Sequence, residues 1–406
     1  MTEATSPDAS ARLHALDLVR ASALLLGIVF HAALPFIPDY ELWLVMDSSR
    51  SWPVAWAAFW LHTFRMPTFF LLAGFFGHML VARRGVGDFI RNRAKRILAP
   101  LLIFWPLVLI MFGLAIGLAL SLGAVPVPEE PPPPPELTVE RWPLTHLWFL
   151  YVLLIFYITA LLARTAVAAI DRSGSLRSNV DRALAALLRF PFVLPLLLAL
   201  PVILLLLRNE GWAEWWGIPT PDTGLVPNTA ALGSYGIAFG LGWLFHRLKD
   251  GLVPLAKLWP LYLPAALGLT IACLVLTGGA DFTPQLEGRV RALYAGFYAG
   301  SIWLWTFGLI GAALRFIRGE SPKIRYLADA SYWLYIIHLP LLVALEALVA
   351  KWPLPAEIKL VVVVAAGVAI MLATYRWFVR STWVGALLNG RRYPRKAQKA
   401  ATRAGE

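Results

Sequence analysis

Cysteine is nearly missing from this 406-residue chain. The one thiol, Cys273, excludes an internal disulfide and any zinc site built on thiolates, and no His-Glu-x-x-His run offers a histidine scaffold in its place. No metal is therefore expected. Charge is also scarce, at 15% of residues, whereas 59% are hydrophobic and the mean hydropathy is +0.66. Acidic residues are the scarcer kind, 24 against 36 basic ones, which leaves a net charge of +12. In a soluble protein that excess would suit nucleic acid. Here it is expected to sit on the cytoplasmic loops of a membrane protein, with no nucleic-acid partner. The N-terminus lacks the charged start and small-residue cleavage site of a signal peptide, so the first apolar segment is expected to remain as a helix.

Apolar runs long enough to cross a bilayer recur along the whole length. Ten candidate spans result, at about 16–38, 53–81, 97–123, 144–164, 191–207, 228–246, 252–277, 290–315, 328–350 and 356–378. The expected fold is an all-α polytopic bundle comprising residues 1–380, followed by a basic cytoplasmic tail at 381–406. With the N-terminus in the cytoplasm, 28 Lys and Arg fall in inside segments and 7 in outside ones, and Arg65 stays within a span. Both termini are thus expected inside. The outside loops are short; the proline-rich stretch at 123–143 reads as a stiff connector. None could house a soluble catalytic domain, and none is expected after the tenth span. Any chemistry belongs within the bundle or at its mouths. The oligomeric state is left open, since no assembly motif stands out.

An ionisable side chain at bilayer depth costs about 2.5 to 3.5 kcal/mol on insertion scales, which makes each one a functional candidate to be weighed against simple structural pairing. In "RASALLLGIVFH", Arg20 and His31 lie eleven residues apart, within about 20° of one helical face and roughly 16 Å along the axis. Asp17, three residues earlier, can pair with Arg20. The second span holds His62 and Arg65 one turn apart; an arginine cannot discharge itself, so Arg65 needs an anion, carbonyls or water. "GDFIRNRAKRILAP" places Arg91, Arg93 and Arg96 at the cytoplasmic start of the third span, where guanidinium forks suit lipid headgroups or the phosphates of a nucleotide-bearing cofactor. His146 and Trp148 stand at the outer mouth of the fourth span. Ser331, Tyr335 and His338 share one stripe of the ninth. Intramembrane His and Arg also suit a transporter or flippase, although no repeat relates residues 1–205 to 206–406.

Taken together, "LDLVRASALLLGIVFHAALPF", "HTFRMPTFFLLAGFFGHML" and "HLWFLYVLL" resemble acyltransferase family 3, the membrane-bound acyl-CoA-dependent transferases. The family's pattern of Arg, ten residues, His matches Arg20 and His31. Its arginine pair looks like Arg91 and Arg93, with Arg93 and Arg96 as an alternative registration. The resemblance implies a cytoplasmic acyl-CoA donor, either succinyl-CoA or acetyl-CoA. It further implies an acceptor hydroxyl on a periplasmic or envelope glycan and transfer through the bundle. His31 is then the general base, acyl-histidine chemistry staying open, because neutral imidazole with a pKa near 6.5 suits removal of an alcohol proton. Arg65 would polarise an oxyanion or hold a carboxylate, and Arg20, Arg91, Arg93 and Arg96 would hold cofactor phosphates, with Asp17 positioning Arg20. His338 completes the expected catalytic set. His62, His146, Trp148, Ser331 and Tyr335 support it.

Overall fold

The computed structural model describes residues 7–40, 43–125, 137–190, 192–221, 224–248, 252, 254–279, 286–317 and 321–393. Among these residues the architecture is helical, with no strand. The helices are α1 (Pro7–Ala33), α2 (Trp52–Arg93), α3 (Ala99–Ser121), α4 (Trp148–Ile170), α5 (Ser175–Leu187), α6 (Val193–Leu207), α7 (Thr229–Phe245), α8 (Leu255–Leu276), α9 (Gly288–Phe316), α10 (Pro322–Val349), α11 (Ala356–Thr374) and the short α12 (Trp383–Asn389). Seven stretches are long and apolar enough to cross a membrane. One of them, Trp52–Ser121, contains both the second and third expected spans, because a π-helical turn at Ala94–Leu98 joins α2 to α3 without a loop. Two shorter apolar helices, Val193–Leu207 and Thr229–Phe245, coincide with the expected segments 191–207 and 228–246. Each of the ten expected segments therefore lies on a helix, and seven stretches meet the length and composition of a crossing.

In a bilayer, helix association depends on close backbone approach rather than on a hydrophobic drive. Contact between α2 and α7 shows the device. A Cβ built on Gly74 would stand 2.0 Å from the Phe239 carbonyl oxygen, and one on Gly242 would stand 1.8 Å from that of Leu71. Only glycine fits at either position. Helix α1 packs on α2 and α10, so the chain's first helix lies at the centre of the bundle. Gly85, with φ +78°, breaks the helical path of α2 shortly before its basic end.

Two segments expected as loop or tail are ordered. Ser175–Leu187, inside an expected basic loop, forms α5, and Asp171 anchors its start by accepting the backbone N–H groups of Leu176 and Arg177. At the end of the chain, Arg391 and Tyr393 bind Asp329 of α10, at 3.2 and 2.5 Å, so the first residues of the expected tail fold back on the bundle. The remainder of that tail and most of the proline-rich connector lie outside the described residues.

The far end of the bundle, away from Arg20, is closed by a buried ion pair. Lys359 of α11, 0% exposed, places Nζ 2.7 and 3.0 Å from the two carboxylate oxygens of Asp47, which is 1% exposed, and donates also to the Ala350 carbonyl. Removing one partner of such a pair costs about 3 to 5 kcal/mol, because the other charge stays buried. Thermal unfolding of the purified protein in detergent should show Lys359→Met losing more stability than the double variant Lys359→Met/Asp47→Leu. A double variant that melts lower than the single one would contradict this reading of the pair.

Candidate functional site

Six elements contribute residues to one interior cavity of about 80 Å³. His31 arrives on the last turn of α1, and His62 and Arg65 on α2. His146 comes from the turn Thr145–Leu147 that precedes α4, and Tyr335 and His338 from α10. Tyr235 of α7 and Trp148 of α4 complete the wall. Along α1 the cavity reaches from Ala23 to His31, about 12 Å by helical rise, and Ala23 is one turn from Arg20.

Three of the imidazoles form a chain. Ring centroids are 5.2 Å apart from His31 to His338 and 4.9 Å from His338 to His146. Two of these rings have their tautomer set by the backbone, because a carbonyl can only accept. His338 Nδ1 lies 2.6 Å from the Tyr335 carbonyl oxygen and must donate to it, which leaves the lone pair of the neutral ring on Nε2. His146 Nε2 lies 3.0 Å from the Ile336 oxygen, and its buried Nδ1 has no partner. The Tyr335 hydroxyl donates to the His146 carbonyl at 2.7 Å, tying the α4 entrance to α10. Thr145, just ahead of His146, holds φ at +52°, a left-handed conformation costly for a β-branched residue, and so the turn that aims His146 is strained. His31 has no such backbone tether at Nδ1, which is buried and unpartnered. Its ring stacks instead on the indole of Trp43 at 6.1 Å.

Among the described residues, Arg65 is the only arginine lining this cavity. Its guanidinium sits 4.9 Å above the Phe30 ring and against the α1 backbone, where Gly27 leaves the room; a Cβ there would meet Nη1 at 2.4 Å. Among the described residues no carboxylate pairs with it, and its Nε is buried without a partner. A cation held this way at bilayer depth is poised for an anionic group.

The basic end is built separately. Arg20 pairs with Asp17 at 2.9 Å, as their spacing implies, and lies over Phe76. Arg93 packs against the rings of Phe89 and Tyr157, with Nη1 donating to the Tyr157 hydroxyl at 3.3 Å, and Arg96 leaves the π-helical turn close enough to feel the charges of Arg93 and Arg20. Arg91, by contrast, is 72% exposed beside Asp88. The pair turned toward the bundle is Arg93 and Arg96.

Two further placements differ from the sequence pattern. Ser331 shares a stripe with Tyr335 and His338, yet its hydroxyl donates to Ala328 of its own helix and it does not line the cavity. Glu346, buried in α10, escaped the sequence reading although it is an ionisable residue inside a span. It accepts the Trp43 indole N–H at 2.8 Å and so braces the ring that stacks on His31, while its other oxygen has no partner. Tyr235 carries no sequence signal beyond being a tyrosine in an apolar helix.

A family model described as an acyltransferase domain matches residues 13–376. The chain is 24% identical over 350 residues to glucans biosynthesis protein C of Salmonella paratyphi A, covering 81% of this chain and 82% of that protein, and equally so to the protein of that name in Salmonella agona. The one in Salmonella typhi is 32% identical over 145 residues, 36% of this chain and 37% of that one. No solved structure matches. Because the matched region runs from α1 to the end of α11 and so holds every residue lining the cavity, the chain belongs to this family and is a membrane acyltransferase.

Proposed function

We propose that the protein moves an acyl group from acyl-CoA at the arginine end of the bundle to a hydroxyl of an envelope glycan arriving at the other end, across a bacterial inner membrane with both termini in the cytoplasm. The observation that carries this reading is the arrangement on α1: a cation at one end, and a histidine opening into the cavity some 16 Å further along the same helix. That offset is about half of a 30 Å hydrocarbon core. Arg20, Arg93 and Arg96 are the donors for the phosphates of the acyl donor. Tyr40, Trp43 and Trp216, packed near His31 and His62 at the far end, give an aromatic face suited to a sugar ring.

In this mechanism His31 takes the proton of the acceptor hydroxyl as its oxygen attacks the thioester carbonyl. The new C–O bond places negative charge on the former carbonyl oxygen, within reach of Arg65 as counter-charge. Collapse breaks the C–S bond, and the imidazolium returns the proton to the departing thiolate. His338, with its lone pair fixed on Nε2, and His146 beyond it keep the His31 ring in place. Arg65 without a carboxylate partner also suits an acyl group that carries its own carboxylate, which favours succinyl over acetyl. The relatives' printed name, glucans biosynthesis protein C, points to a glucan as the acceptor.

His31→Ala, expressed and folded normally, should lose about 10²-fold or more of the transfer from labelled acyl-CoA in membranes. Undiminished activity would remove His31 from the chemistry. Gly27→Ala tests Arg65 without touching it. The added methyl meets only the tip of a flexible side chain, so folded yield should be unchanged, while displacement of the guanidinium by about 1 Å should lower kcat by up to about 10²-fold. Unaltered kcat in that variant would show that the position of Arg65 is immaterial.

A further inference from the structure

A second cavity, of about 1380 Å³, lies between α4 and α7 and takes no part in the histidine site. Phe156, Ala160 and Val167 on α4 face Leu232, Gly236 and Gly240 on α7. It runs along α7 from Thr229 to Arg247, about 27 Å by helical rise, longer than one leaflet's share of a hydrocarbon core of about 30 Å. Walls of this kind would be poorly served by water or a soluble metabolite.

The groove's chemistry changes at one end. Arg164, Arg177 and Arg247 line it there, with Asp181 the one carboxylate among the lining residues. Arg247 reaches Asp181 at 2.8 Å and Arg177 reaches Asp171 at 2.9 Å, whereas Arg164 stands exposed at the mouth. Each guanidinium has five N–H donors, so these pairs leave donors free. His78 and His246, joined through their Nδ1 atoms at 2.8 Å, sit beside this end. The apolar part lies at membrane depth and the cations at its rim, the order of groups in a phospholipid.

We propose that this groove binds an anionic phospholipid from the leaflet at the arginine end, its acyl chain between α4 and α7 and its phosphate at Arg164, Arg177 and Arg247. Charge complementarity selects an anionic headgroup over a zwitterionic one. The lipid would lie along the seam where Phe156 and Tyr157 of α4 pack on Phe239 of α7. Since α4 begins directly after the turn Thr145–Leu147, it would also steady the turn that carries His146.

The test uses full-length protein purified in detergent, incubated with phosphatidylglycerol or phosphatidylcholine carrying a photoactivatable acyl chain and then mapped for cross-links. Phosphatidylglycerol should be retained over phosphatidylcholine, with its cross-links on α4 and α7. Arg164→Ala and Arg247→Gln should each weaken retention of phosphatidylglycerol about fivefold, on the scale of one cation beside an anionic surface, and leave phosphatidylcholine unchanged. Gly240→Leu fills the groove, and since nothing lies within 4 Å of its Cβ it should fold normally and abolish the cross-links. Ala163→Leu gives a second filling variant should Gly240→Leu fail to fold. Equal retention of both lipids, cross-links confined to other helices, displacement of phosphatidylglycerol by inorganic phosphate, or filling variants that bind as wild type would each overturn the proposal.

Discussion

Placing imidazoles and a guanidinium inside hydrocarbon is the constraint on which the rest of the bundle depends. Such groups persist there only where several helices wall them from lipid and where backbone carbonyls take up their N–H groups. Here the carbonyls of Tyr335 and Ile336 in α10 serve His338 and His146, and the Tyr335 hydroxyl returns a bond to the His146 backbone. The polar cluster therefore sews the start of α4 to the middle of α10. Site and scaffold are one network, and His31 Nδ1 and Arg65 Nε, which the proposed chemistry would use, are among the buried groups it leaves unpartnered, with Nδ1 of His62 and of His146.

The surrounding structure sets the cluster's position. Glycines at Gly74 and Gly242 bring α2 and α7 to backbone contact, which carries Arg65 and Tyr235 to the same wall, and Gly27 then admits the guanidinium against α1. Strain at Thr145 turns His146 inward. Glu346 holds Trp43 against His31, and the Asp47–Lys359 pair ties the loop after Trp43 to α11. At the other end a helix that continues through a π-turn, rather than a loop, sets Arg93 against Tyr157 of α4 and Arg96 close to the charge of Arg20.

Local signals in the sequence carried most of what is local in the structure. Hydropathy located the ten apolar segments, and spacing paired Asp17 with Arg20. Charge at bilayer depth singled out His31, His62, Arg65 and His338, all of which meet at one cavity. Non-local contacts were illegible for a physical reason: periodicity gives the face a residue occupies, not the helix that covers that face. Hence Ser331 shares a stripe with His338 yet turns to its own helix, and Tyr235 joins the site from an unremarkable segment. Lys359, one of the seven charges assigned to the outside segments, is buried in an ion pair whose partner lies 312 residues away. Spacing did not separate the pair Arg91 and Arg93 from the pair Arg93 and Arg96; Arg91 stands exposed beside Asp88, whereas Arg96, within the π-helical turn, is half-buried.

The central claim is that one stripe of α1 joins a donor at the arginine end to an acceptor at the far end. The direct measurement is acyl transfer in sealed proteoliposomes of known orientation, with labelled acyl-CoA on one side and glucan acceptor on the other. Transfer through the bundle requires acylated glucan to form when donor is supplied at the arginine face and acceptor at the opposite face, and to fail when the two are exchanged. Product formed only when both substrates share a face would contradict it.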